Sequence, residues 1–286
     1  MRSGMLRWAK RFGRLVLVIF FVMTGSVTLV RFAPGFFTDA REMDGRYRAI
    51  AENALANERA TNGSWTNMIR VHTEQWLHGN LGESRQFEVP VSDLVKERIG
   101  VTGALLGKSI LLAWILAITA ACLSNLGRNL SALLRLPAAL LLSIPASALA
   151  TFCIVSNWGG AVLVLTTLIA VRDFKFVDRL LHKTWREPYL EQARAQGLGT
   201  WRMFTAHVMP SVAPDLLSLA LLSINTALGA LIPVEVLFDI PGIGQMTWNA
   251  AINRDLPVMA AATLLMAVVF TVSGSVMDWE SRGAAL

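Results

Sequence analysis

Long apolar runs separated by short basic stretches constrain this chain more than any other feature. Leu15–Val30, Val101–Leu123, Leu136–Ser156, Val212–Val234 and Leu256–Met277 are predominantly apolar and nearly free of charge. A hydrocarbon core of about 30 Å takes about 20 helical residues at about 1.5 Å each. Within lipid the backbone must satisfy its own polar groups, so these runs are expected to be helices. Trp158–Val171 is short for a crossing, yet it stands between a polar turn and a basic stretch and is expected to be a fourth span. The fold class that follows is an all-α integral membrane protein with six transmembrane helices. Composition agrees, because 16% of the residues are charged, against about 25% in soluble domains.

Charge then orients the spans. Arg2, Arg7, Lys10, Arg11 and Arg14 precede the first run, a pattern shared by signal peptides and first transmembrane helices. Val30, Arg31 and Phe32 at the junction offer no small-x-small cleavage site, so an uncleaved helix entering from the cytoplasm is expected. Residues 34–100 are polar and carry Pro and Gly punctuation, the signature of a long extramembrane segment. The Arg172–Pro210 stretch holds Arg172, Lys175, Arg179, Lys183, Arg186, Arg194 and Arg202, which places it in the cytoplasm by the positive-inside rule. The expected organisation is residues 1–33 as cytoplasmic N-terminus and first span, 34–100 as periplasmic segment, and 101–286 as a core of five further spans. The chain is expected to cross its membrane several times.

Several chemistries find no residues to carry them. The net charge of +6 is distributed around apolar segments instead of forming one patch, so no nucleic-acid partner is expected. Cys122 and Cys153 lie inside apolar runs, and the four histidines are scattered; neither a disulfide nor a metal site is expected. The sequence has no Walker-type G-x-x-x-x-G-K run, no H-E-x-x-H and no nucleophile elbow, so no catalytic residue and no cofactor is assigned. Pro241-Gly242-Ile243-Gly244 reads as a turn and not as a nucleotide loop. No Asp or Glu is expected inside the membrane away from helix ends, which argues against an ion-coupled secondary transporter.

Two ionisable residues stand out at the apolar runs. Lys108 sits about 10 Å into the second span, where insertion scales assign a lysine at mid-bilayer a cost of roughly 2.5 to 3.5 kcal/mol. It either snorkels outward or faces a wet pathway, where it could meet a carboxylate. Glu235 follows Pro233 at the outer end of the fifth span and either pairs locally or shapes an outer gate.

The polar stretch EQARAQGLGTWRMFTAHVMP, residues 191–210, interrupts the membrane pattern. Tyr189, Ala193 and Gly197 recur at i, i+4 and i+8 and share one helical face, small toward its C-terminal end. Gly197 and Gly199 are expected to end that helix, Thr200 to cap the next, and Pro210 to stop or kink the chain at the membrane. Pattern alone leaves two readings: a helix lying on the bilayer with its arginines on lipid headgroups, or a helix that docks on another protein.

Glu191, Ala193, Gly197 and Pro210 resemble the "EAA" loop of bacterial ATP-binding cassette (ABC) importer permeases, in which this loop couples to the ATPase. Gln192 stands where that motif has its first alanine, and His207 takes a position that is usually apolar. The likeness extends along most of the chain toward the dipeptide, oligopeptide and nickel permeases. Its carriers are Pro34-Gly35, the Trp76-Leu77-His78-Gly79-Asn80-Leu81-Gly82-Glu83-Ser84 segment, Val234-Glu235-Val236-Leu237-Phe238, and Asn253-Arg254-Asp255-Leu256-Pro257.

The resemblance implies the type I importer permease fold, with cytoplasmic coupling helices over residues 186–210. It implies ATP-binding cassette subunits, a paralogous permease and a periplasmic or lipoprotein substrate-binding protein as partners within the lipid bilayer. The chain itself would be a transport subunit and not an enzyme, and di- or oligopeptides the expected cargo. Nickel or another metal chelate, a secondary transporter, and a non-transporting membrane scaffold are the alternatives.

Overall fold

The computed structural model describes residues 65–283 except 85, 126 and 254, with scattered positions between 13 and 28. The expected first span, apart from those positions, and the 34–64 part of the extramembrane segment lie outside the described residues. The elements in chain order are α1 (Trp65–Leu77), α2 (Val91–Ser124), α3 (Arg128–Leu141), α4 (Ala146–Val155), α5 (Ala161–Thr184), α6 (Pro188–Ala195) and α7 (Thr200–Met203). A π-helical turn (Phe204–Val208) leads into α8 (Met209–Leu237), followed by α9 (Ile243–Ile252) and α10 (Leu256–Gly283). There is no β-strand among the described residues, only an isolated antiparallel bridge between Glu83 and Pro90.

Three described helical stretches are long and apolar enough to cross a membrane: Val91–Ser124, Thr200–Leu237 and Pro257–Gly274. A fourth is added if α3 and α4 count as one span bent by 97°. The expected third span is therefore not one helix. Ile144 precedes Pro145, and the proline ring disfavours the helical region for the residue before it; Pro145 itself is extended, at φ −61° and ψ 148°.

The fourth expected span also differs. Its helix does not stop at Val171 but continues to Thr184, because Ile169, Ala170, Asp173, Phe174, Val177, Asp178 and Leu181 keep the three-and-four spacing of one buried face. The polar loop accordingly begins at Trp185 and not at Arg172.

The chain divides into two compact units. In the unit containing Thr102–Ile240, α8 packs on α4 and α5, and α3 on α5. Its core joins Ala117 and Ala121 of α2 to Phe174, Val177 and Leu181 of α5, with Leu190, Val208 and Leu219. Alanines on the α2 face allow the close backbone approach on which helix packing in lipid depends. The other unit, residues up to Val101 with Pro241–Val272, has its own core of Val91, Leu94, Ile243, Met246, Val258 and Ala261.

Candidate functional site: the 186–210 loop and the buried polar groups

Pro188 starts α6 at its first turn, where its missing N–H costs nothing, and Glu187 caps the backbone in an extended conformation. The helix buries Leu190 and Ala193 and exposes Glu191, Gln192 and Arg194. Ala193 is 7% exposed, so its small side chain lies against its own subunit. The free side of the loop is the side of Glu191 and Arg194. Tyr189 is exposed, its hydroxyl 3.5 Å from Ser211 Oγ.

Gly197 is in the left-handed region, at φ +81°. Its N–H donates to Arg194 O at 3.0 Å, and the Leu198 N–H donates to Ala193 O at 3.3 Å. These two bonds form a Schellman stop, which satisfies the last carbonyls of α6 and reverses the chain. A Cβ at Gly197 would meet nothing within 4 Å in this subunit.

The following turn differs from expectation by one residue: Gly199, extended at φ −65° and ψ 148°, takes the N-cap, and Thr200 is the first residue of α7. Pro210 does not stop the chain. The π-helical turn ahead of it shifts the bonding, with the Met209 N–H donating to Phe204 O, and Pro210 falls in the first turn of α8, where a missing donor is tolerated.

Lys108 and Glu235 lie in different surroundings. Lys108 is exposed on the side of α2 that also presents Val101, Leu111, Leu112 and Ile115. The opposite side buries Thr102, Leu105 and Ser109. Glu235 is fully buried and accepts a hydrogen bond from Thr102 Oγ1 at 2.7 Å.

The sequence expectations missed two buried carboxylates. Asp173, at mid-length of α5 and 1% exposed, accepts a hydrogen bond from Ser223 Oγ of α8 at 2.6 Å. Trp114 Nε1 of α2 donates to the same Ser223 Oγ at 3.2 Å, so one hydroxyl ties three helices. Asp173 lies two residues beyond the Val171 end of the expected fourth span, in the stretch expected to be a polar loop. The signal available was the helical spacing that puts Asp173 on the Ile169–Ala170–Val177 face. Nearby, Asp178 takes two bonds from the Arg135 guanidinium, at 2.8 and 3.2 Å.

Replacing Ser223 with Ala is expected to leave the Asp173 carboxylate without this donor and the Trp114 N–H without its acceptor. The cost should be about 2 to 4 kcal/mol. Thermal unfolding of the detergent-solubilised chain should show it as a lowered midpoint, with Ser223→Thr close to wild type. An unchanged midpoint in Ser223→Ala would remove the structural role of this junction.

A further buried acid joins two segments far apart in sequence. Asp255, 1% exposed, accepts hydrogen bonds from Ser84 Oγ and from the Gln86 N–H at 3.1 Å. Gly82, at φ +86°, lies so close that an added Cβ would stand 3.3 Å from Pro257 Cβ. The Gly79–Ser84 and Asn253–Pro257 segments, each singled out in the sequence, are thus packed against one another.

Helices long and apolar enough to cross a bilayer, tied by buried polar junctions and interrupted by a charged helical turn, are the architecture of a helical membrane protein. Residues 109–283 match the family described as the binding-protein-dependent transport system inner membrane component. That is well over half of the chain, and the chain belongs to this family, the permeases of ABC importers.

The chain is 26% identical over 237 residues to a Brucella ovis protein provisionally named a peptide permease, covering 71% of this chain and 73% of the relative. It is 26% identical over 279 residues to the oligopeptide transport system permease protein OppB of Salmonella typhimurium, covering 87% of each. To the metal-staphylopine import system permease protein CntB of Staphylococcus aureus it is 31% identical over 117 residues, 41% of this chain and 37% of that one.

Proposed function

We propose that this chain is the membrane-spanning permease subunit of an ATP-driven importer of di- or oligopeptides in the bacterial inner membrane. Likeness to the oligopeptide permease along 87% of both chains is the observation that carries the cargo class. In this reading the spans number six: the 15–30 run, α2, the bent α3–α4 pair, α5, α8 and α10. The 186–209 loop faces the cytoplasm and docks on a separate ATPase subunit, with Leu190 and Ala193 anchoring α6 and Glu191 and the Gly197 turn meeting the partner. Pro210 marks where the loop rejoins the membrane. A paralogous permease completes the pore, and a binding protein delivers cargo on the outer side.

The shorter likeness to a metal-staphylopine permease favours one alternative, import of a metal chelate. Uptake of a labelled dipeptide by cells carrying the whole importer separates the two. Competition by unlabelled tripeptide and indifference to a nickel chelate are expected; the reverse pattern would refute the peptide assignment.

Lys108 supplies the pathway charge in this reading. Its neighbours on the exposed side of α2 are apolar, and an ammonium against lipid at that depth is costly, so a wet pathway that receives a substrate carboxylate suits it better. Lys108→Met is expected to weaken uptake of peptides with a free C-terminus about tenfold, the scale of one lost charged contact. Peptides amidated at the C-terminus should be little affected. Equal kinetics for both substrate types would return Lys108 to a snorkelling role.

A further inference from the structure

A pocket of about 530 Å³ opens where the ends of α2 and α5 meet α6 and α7. Its lining has two chemistries. His182, Arg186 and Arg194 supply cationic or ionisable groups, and all three are exposed. Trp185, Trp201 and Phe204 supply aromatic walls, and Cys122 extends the lining toward the apolar length of α2. No acidic residue lines it. Among the described residues, the recorded ion pairs involve none of its cations.

Two guanidinium groups and an imidazole around an aromatic-walled hollow offer an anion several donors with no carboxylate in competition. The volume is that of a small-ligand site. The basic end lies in the positively charged loop and the other end runs toward a bilayer-spanning helix, which suits a ligand with an anionic head and an apolar body. Trp201, 76% exposed, adds the indole ring typical of the membrane interface.

We infer that this pocket binds the headgroup of an anionic phospholipid of the inner leaflet, with the phosphate on Arg186, Arg194 and His182 and the glycerol and upper acyl chain along the aromatic wall. Basic pockets between membrane helices on the cytoplasmic side are suited to such lipids. The lipid would brace α6 and α7 against the ends of α2 and α5, making the loop's position sensitive to membrane composition. The inference rests on the inward placement of this loop and not on the identity of the cargo.

The test uses the assembled importer in nanodiscs of phosphatidylcholine containing a minor share of phosphatidylglycerol, with retained lipid read by native mass spectrometry. Wild type is expected to retain phosphatidylglycerol, and the double variant Arg186→Gln with Arg194→Gln to retain it about thirtyfold less, as expected for two arginines lost at an anionic surface. Arg186→Lys with Arg194→Lys should restore most of it. Equal retention in wild type and the Gln variant would overturn the proposal, as would displacement of the lipid by millimolar inorganic phosphate or retention only after the ATPase is stripped away. ATPase content is measured in the same samples. Loss of the ATPase with the lipid kept would count against this site while leaving the docking role of the loop intact.

Discussion

A Gly197→Asp chain is expected to insert into the membrane at wild-type level and to lose ATP-driven uptake almost completely. Gly197 holds the left-handed turn that ends α6, at φ +81°, and a side chain there costs roughly 1 to 2 kcal/mol. That strain is small against the whole fold, and the residue is exposed with open space around it, so insertion should survive. The α6–α7 geometry should not, because the two bonds from Gly197 and Leu198 that reverse the chain depend on this conformation.

Gly197→Asn separates two causes. Asparagine shares aspartate's size and its tolerance of the left-handed region, so recovery of uptake would assign the defect to the added charge, and failure would assign it to lack of space at the ATPase surface. Glu191→Ala should be milder, since an exposed carboxylate in the first turn of a helix contributes about 0.3 to 1 kcal/mol. The checks are immunoblotted membrane levels, ATPase co-purification and uptake. Full co-purification and full uptake in Gly197→Asp would contradict the coupling role of this turn.

Asp255→Ala is expected to have the second large effect, on stability. The carboxylate receives a hydroxyl and a backbone N–H from the 84–86 segment, and hydrogen bonds to a charged group contribute about 1.5 to 3 kcal/mol each. Losing both should cost about 2 to 4 kcal/mol, since the donors left behind can partly rehydrate. Asp255→Asn keeps an acceptor oxygen and should lose less than half as much. Thermal unfolding in detergent gives the magnitude, and proteolysis within residues 82–90 should accelerate if the segment is released. A wild-type midpoint with unchanged cleavage would contradict the clamp.

The three stretches that pass as membrane-crossing helices were legible because apolarity alone decides them. The bend between α3 and α4 was present in the sequence as Ile144-Pro145, but unbroken apolarity hid it. In α5 the reverse happened: Arg172, Asp173 and Lys175 looked like the start of a loop, although the buried positions keep helical spacing through Leu181.

What no local pattern could reveal were the partners. Ser223 lies 50 residues from Asp173 and Ser84 171 residues from Asp255, and only the fold brings them together. Gly197 was readable as a helix stop because left-handed ends favour glycine, whereas the passage of the helix through Pro210 depends on a π-helical turn that has no simple sequence signature. The expected Tyr189–Ala193–Gly197 face did not form: α6 ends at Ala195, Gly197 lies beyond it in the left-handed region, and Ala193 is buried while Tyr189 and Gly197 are exposed.

The central claim, that this permease moves its cargo by another subunit's ATP hydrolysis, is tested most directly by uptake in proteoliposomes. The vesicles carry the complete importer and its binding protein, enclose ATP on the loop side, and receive labelled dipeptide outside with an ionophore that collapses ion gradients. Uptake should require hydrolysable ATP and be unchanged by the ionophore. Uptake that persists without ATP and vanishes with the ionophore would contradict the account and make the chain an ion-coupled carrier.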